Sequence, residues 1–189
     1  MRRPEYHEMK KKELMEKAFN QYCETGLKNT GIKAVATACG LTPAALYSYF
    51  DNVDDLIIQS TAYCMEKVEA EFMAKAPTNI ADIKRFLREV PYWTAKQHGK
   101  KYRLMYQVYN SPEFLDEGKA FFKGVGERYT EYAKELEKRL HIPYKAIEPL
   151  IFIFVRASVH YALFEDEAYL KPQMDVLWQM CSALKKKYD

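Results

Sequence analysis

Glycine and proline are scarce in this chain, seven and eight in 189 residues, and no sustained alternation of valine, isoleucine and threonine marks a sheet. Together these shortages exclude a chain built mainly of strands and turns, and leave a helical one. Long hydrophobic runs are absent as well: the longest, Pro149 to Val155, falls far short of the ~20 apolar residues a bilayer-spanning helix needs. The N-terminus lacks the apolar segment of a secretory signal, so a cytoplasmic protein is expected, with no membrane partner. Cysteine is thin and dispersed. Cys23, Cys39, Cys64 and Cys181 form no Cys-x-x-Cys pair, which fits neither a disulfide framework nor a zinc knuckle. Gly-x-Ser-x-Gly, phosphate-loop and His-Glu-x-x-His patterns are missing, and His7, His98, His141 and His160 make no cluster in sequence. No catalytic activity, cofactor or metal is therefore expected.

What is present is a hydrophobic fraction of 48%, enough to bury a core, and a net charge of +3 that is unevenly placed. Residues 1–50 hold eight Lys and Arg against five Asp and Glu, whereas the rest of the chain holds 21 of each. A basic head on a neutral body suggests that the head faces an anion, since phosphate neutralisation supplies most non-specific affinity for nucleic acid.

Leu14, Met15, Ala18, Phe19 and Tyr22 recur at helical spacing and mark a first helix, led by Lys10, Lys11 and Lys12 and stopped at Gly26. A short helix from Ile32 to Cys39 breaks at Gly40. Thr42 and Pro43 then read as N-cap and first position of another, ending near Phe50. Asn52 with Asp55 caps a connecting helix that runs toward Pro77, and Asn79 with Asp82 caps the next, which contains Pro91. Ser111 and Pro112 open a long helix to Leu140. The segment from Leu150 through Phe164 reads as a helix buried all round, and Pro172 opens a terminal helix closed by Lys185, Lys186 and Lys187.

Counting from Ile32 as the first position, Val35, Ala36, Cys39, Gly40, Leu41, Leu46 and Tyr49 occupy the constrained slots of a helix-turn-helix. Two closely crossing helices need a small residue where backbones touch, here Ala36, and a residue tolerant of positive φ in the turn, here Gly40. Val35, Leu41 and Leu46 fill the wedge between them. An ordinary helical hairpin would match any single slot; the joint match selects a DNA-binding unit.

Ala18-Phe19, Tyr22, Gly26, Ala36, the run Gly40-Leu41-Thr42-Pro43-Ala44-Ala45-Leu46-Tyr47-Ser48-Tyr49-Phe50, and Leu56 resemble the head of the TetR family of transcriptional repressors over residues 10–56. The resemblance implies that the second short helix enters the major groove, with Thr42, Pro43, Ala44, Ala45, Tyr47, Ser48 and Tyr49 lining the DNA and Thr30 and Lys33 facing phosphates. Lys10, Lys11 and Lys12 are further DNA candidates, in an arm from Arg2 and Arg3 that either grips the duplex or forms a solvated tail. The chain departs from the family pattern at Val53, where lysine is frequent, and at Pro43-Ala44, where Lys-Gly is frequent. With few long hydrogen-bonding side chains on the helix, base reading rests on hydroxyls and apolar contacts.

The expected architecture is all-α with about nine helices: a three-helix helix-turn-helix DNA-binding domain over residues 1–52 and a helical effector-binding and dimerisation domain over residues 53–189. Tyr92, Trp93, Tyr102, Tyr106, Tyr109, Phe121, Phe122 and Phe152 gather aromatic surface in the middle helices, where an effector pocket is expected. Arg156 and His160 share a helical face four residues apart and lie in that pocket, in the core or in the dimer seam. Val155, Val159, Leu163, Met174, Leu177, Trp178 and Cys181 are expected at a two-fold interface. Two recognition helices about 34–36 Å apart would read a palindromic operator. These features describe a homodimeric repressor on double-stranded DNA, released by a small molecule. The competing description keeps the fold as a DNA- or protein-binding dimer with no effector.

Overall fold

The computed structural model describes residues 3–77 and 79–188, in which eight α-helices and three short 3-10 turns carry the chain and no strand occurs. The helices are α1 (Arg3–Thr25), α2 (Ile32–Cys39), α3 (Pro43–Leu46), α4 (Val53–Met73), α5 (Ile83–Tyr109), α6 (Leu115–Leu140), α7 (Tyr144–Phe164) and α8 (Glu167–Tyr188). Contacts group residues 1–71 with 100–119 as one compact unit and residues 72–99 with 120–189 as another.

The first unit is organised by side chains with almost no exposure: Leu14, Ala18 and Phe19 of α1, Val35 and Ala36 of α2, Leu46 of α3 and Leu56 of α4. Each large member contributes about 1.5–3 kcal/mol by leaving water. Gly26, at φ +83°, ends α1 in a conformation that L side chains rarely adopt, as its position in the sequence predicts. Along α4, Lys67 pairs with Glu16 at 2.7 Å and the Tyr63 hydroxyl reaches the same carboxylate at 3.4 Å, which ties α4 to α1. The 100–119 segment joins this unit through Lys100, 2.7 Å from Glu24.

The second unit packs Phe72, Leu87, Val90, Leu150, Phe154, Ala157, Leu170, Met174 and Leu177 into one cluster, and Ala133, Ile142 and Ile147 into a smaller one. Phe72, Phe86 and Phe154 form an aromatic trio with centroids 4.6 to 6.4 Å apart, Phe72 edge-on to Phe86 and both tilted against Phe154. By length and composition alone α7 is apolar enough to cross a membrane, which the short apolar run in the sequence did not suggest. It is nevertheless crossed by Glu148 and Arg156, and buries Leu150, Phe154, Ala157, Val159 and Ala162 in protein.

Several boundaries differ from expectation for local reasons. α1 begins at Arg3, so Lys10, Lys11 and Lys12 lie within the helix instead of leading into it; Arg2 lies outside the described residues. α3 is α-helical only to Leu46 and continues as turn to Tyr49. The Ser111 side chain makes no capping bond, and the chain winds through a 3-10 turn (Pro112–Phe114) before α6. α8 opens at Glu167, where Asp166 accepts from the Tyr169 amide at 3.1 Å, and Pro172 falls inside it. Nor is α7 buried all round: Ile153, Arg156 and Phe164 are exposed, because α8 covers only part of its surface.

Gly118 lies close against the backbone of Tyr109 in the first unit. A Cβ there would sit 2.7 Å from the Tyr109 carbonyl oxygen and 2.8 Å from the Tyr109 Cβ, distances that real atoms do not tolerate. Gly118→Ala is therefore expected to destabilise the protein by about 1–3 kcal/mol, lowering the urea midpoint with an unchanged m-value.

Candidate DNA-binding head and ligand cavity

α2 and α3 are positioned by the turn at Gly40, whose φ of +72° lets its amide and that of Leu41 return to the last carbonyls of α2, Thr37 and Ala36. Thr42 caps α3 by accepting from the Ala45 amide at 3.2 Å, with Pro43 pre-set at the first helical position. One turn of helix cannot hold itself in water. Leu46, fully buried, anchors it from below, and its upper surface presents Thr42, Ala44, Tyr47 and Ser48 to solvent, with Pro43, Ala45 and Tyr49 half-buried. Of the seven residues that the sequence resemblance assigned to DNA, four are thus exposed and three half-buried.

Hydrogen bonding on this surface is partly committed. The Ser48 hydroxyl donates to the Ala45 carbonyl at 2.7 Å, leaving its oxygen to accept. Thr30, expected to face phosphate, is buried instead, and its hydroxyl donates to the Gly26 carbonyl at 2.6 Å and contacts the Thr25 hydroxyl. It closes the turn after α1, while Lys33 is exposed. On α1, Lys12 is exposed and Lys10 lies 2.9 Å from Glu13, which also holds Lys17 at 2.7 Å. Hydrogen bonds from Lys17 and Lys10 bring the Glu13 carboxyl down to about 2, so that carboxylate stays ionised across the physiological range. Lys11 extends over the Phe50 ring at 5.2 Å.

The second unit contains a cavity with an empty volume of about 890 Å³, part of it open to solvent. Its wall is built from Phe72 and Met73 at the end of α4, Ile83, Phe86 and Leu87 on α5, Leu136 and Leu140 on α6, Ile147, Leu150, Ile151 and Phe154 on α7, and Leu177, Cys181 and Leu184 on α8. Hydrogen-bonding groups are few. Asn79 is already engaged with Asp82, donating at 2.7 Å and accepting from its amide at 3.0 Å. Burial pushes the Tyr132 hydroxyl and the Cys181 thiol up, so both are neutral near pH 7. The cavity accordingly accepts an uncharged apolar group and offers little to a polar one.

None of the ten residues expected at the effector pocket lines this cavity. Tyr102, Tyr106 and Tyr109 belong to the first unit, where Tyr102 and Tyr109 are buried and their hydroxyl pKa values are raised by desolvation. In the second unit the aromatics pack on one another: Tyr92 edge-on to Tyr161 at 4.9 Å, Trp93 on His98 at 5.0 Å, Phe121 on Phe122 at 5.5 Å and Phe152 on Tyr129 at 5.8 Å. Arg156 is exposed, its guanidinium 5.7 Å from the Phe122 centroid, and half-buried His160 lies between Phe164 and Tyr169. The cavity wall is mostly aliphatic, and periodicity cannot distinguish an aliphatic wall from an aliphatic core.

The expected dimer residues are also redistributed. Val159, Met174 and Leu177 are buried within their own chain, and Val155, Trp178 and Cys181 pack against its core, with Leu163 half-buried. The apolar side chains left in solvent on α7 and α8 are Ile153, Phe164, Tyr169, Val176 and Met180. A shallow groove lies among them, lined by Ile153, Pro172, Gln173, Val176, Leu177 and Met180.

Gly40→Ala should cost about 1–2 kcal/mol of stability: nothing lies within 4 Å of the added carbon, so the loss is backbone strain alone. Gly31→Ala, equally open but at φ −76°, should stay within about 0.5 kcal/mol by the same urea titration.

Residues 14–59 match the family described as bacterial regulatory proteins, tetR family. No curated protein matches the chain. Among solved structures, the fatty acid degradation regulator FadR from Bacillus halodurans superposes with a TM-score of 0.58 at 17% identity, covering 89% of this chain and 94% of that one. FadR from Bacillus subtilis, in complex with stearoyl-CoA, gives 0.58 at 14% identity over 89% and 96% of the two chains. The Thermus thermophilus repressor FadR, in complex with lauroyl-CoA, gives 0.57 at 12% over 91% and 93%. At these identities the likeness is one of fold.

Proposed function

We propose that this chain, whose residues 14–59 match the family described as bacterial regulatory proteins, tetR family, is a ligand-responsive repressor that binds a palindromic operator as a homodimer. In this reading residues 1–52 hold the DNA-binding domain and residues 53–189 the effector-binding and dimerisation domain, at work in the cytoplasm. The α3 surface enters the major groove, Tyr47 and Ser48 reach base edges, and Ala44 and Ala45 meet thymine methyls. Lys33 and Lys12 contact phosphate; Lys10 does so by exchanging Glu13 for the DNA.

The observation that carries the effector half is the apolar cavity of the second unit, a volume that DNA binding alone does not require. Solved structures of like fold hold stearoyl-CoA and lauroyl-CoA, and an acyl chain is the kind of group such a wall accepts. We assign the effector an extended apolar chain. Release follows if the occupied cavity favours a spacing of the two heads that no longer fits successive grooves. α4 is the connecting element: its last turn carries Phe72 and Met73 into the cavity wall, while its first turns bury Leu56 and Ile57 in the first unit.

The mate is a second copy seated on the exposed apolar face of α7 and α8. Val176, at 52% exposure, borders a groove of apolar side chains on its own chain, so two such faces related by a two-fold axis can interlock ridge into groove. Val176→Asp is expected to convert the dimer to monomer in sedimentation equilibrium, with the helical circular dichroism unchanged.

Selection of bound duplexes from a random pool at physiological salt tests the whole reading. An inverted repeat is expected, lost with Tyr47→Ala, and stearoyl- or lauroyl-CoA should release it. At one hundred times its Kd the effector should also stabilise the free protein by about 2.7 kcal/mol. Binding that tracks salt alone, with no enriched sequence, would sink operator reading.

A further inference from the structure

α1 does more than support the helix-turn-helix from beneath. Its first two turns extend to the end of the recognition surface, where the imidazole of His7 stacks on the ring of Tyr49 at 4.6 Å between centroids and 17° between planes. One turn further along, Lys11 lies over Phe50 at 5.2 Å. Residues four apart on one helix face thus hold two consecutive rings at the exit of α3, which is where α-helical hydrogen bonding has already given way to turn.

The chemistry of the recognition surface makes that hold consequential. Ala44 and Ala45 are short, and the hydroxyls of Thr42 and Ser48 are each partly engaged locally, so that Tyr47 and Tyr49 are the long side chains of this surface. A tyrosine that must be ordered on binding loses rotamer freedom at that moment; one already clamped against a ring does not. Tyr47 is exposed, whereas Tyr49 is half-buried with His7 against its face.

We propose that His7 is a positioning residue for operator recognition, acting through its stack on Tyr49 to fix that side chain in the orientation that meets DNA. The inference rests on the DNA-binding reading given above. It assigns the first turns of α1 a part in specificity as distinct from general attraction to phosphate. The contribution of His7 is then carried by the aromatic face and not by imidazole charge.

A double-mutant cycle on the selected operator tests this with the full chain. His7→Ala should weaken operator binding about tenfold for two heads while leaving affinity for an unrelated duplex of equal length unchanged. His7→Phe, which keeps the stack and removes the titratable nitrogens, should bring binding back to within about threefold of the parent protein. In a Tyr49→Ala background, His7→Ala should have no further effect. Operator binding by His7→Ala equal to the parent, failure of His7→Phe to restore it, or an undiminished effect without Tyr49 would each overturn the assignment. If the parent protein selects no operator, the regulator reading falls and His7 loses its role with it; if it selects one and the cycle shows no coupling, the positioning role alone is lost.

Discussion

Leu46 is the residue on which the head depends. α3 is a single α-helical turn, too short to persist in water on its own intrinsic preference. Its surface exists because Leu46 is drawn wholly out of solvent in the unit where Leu14, Ala18, Val35 and Ala36 are also buried, and because Gly40 allows the chain to reverse sharply enough to bring it there. The geometry of Thr42, Ala44, Tyr47 and Ser48 is inherited from that burial. Ala44 and Tyr47 are free to vary chemically because neither supports the fold from beneath, whereas Thr42 also caps the helix.

The second unit follows a different constraint. Three aromatic rings, Phe72, Phe86 and Phe154, come from three helices and pack edge-on or tilted against one another. Rings in this arrangement prop helices apart as well as hold them together, and the aliphatic residues around them do not close the remaining space. Large rings with smaller neighbours leave an interior that an apolar molecule can share with the protein.

The head was legible in the sequence because its slots are chemically exclusive: a small Ala36 at a crossing, a glycine at positive φ, and a threonine-proline helix start each leave few substitutes. The capping pairs Asn52–Asp55 and Asn79–Asp82 read correctly for the same reason, and both appear as side-chain-to-amide bonds. The cavity was not legible. Leu136, Leu140, Ile147 and Leu150 obey the same helical period whether they meet a neighbour or a void, and tyrosines such as Tyr102 and Tyr109 draw attention while packing in the other unit. Thr30 shows the same limit on a smaller scale, since whether a hydroxyl faces solvent or the preceding carbonyl depends on a backbone turn that spacing does not reveal.

The near absence of available hydrogen-bonding groups in the cavity wall bears on how finely an occupant can be distinguished. A wall of this kind recognises bulk and length, with each buried methylene adding about 0.8 kcal/mol, roughly a fourfold step in affinity. It has few donors or acceptors to strand when a near relative enters, and so exerts little of the steep rejection that an unpaired polar group imposes. Neighbouring members of a homologous series would then be told apart by graded steps, the response rising along the ladder until the chain outgrows the space between α5 and α8.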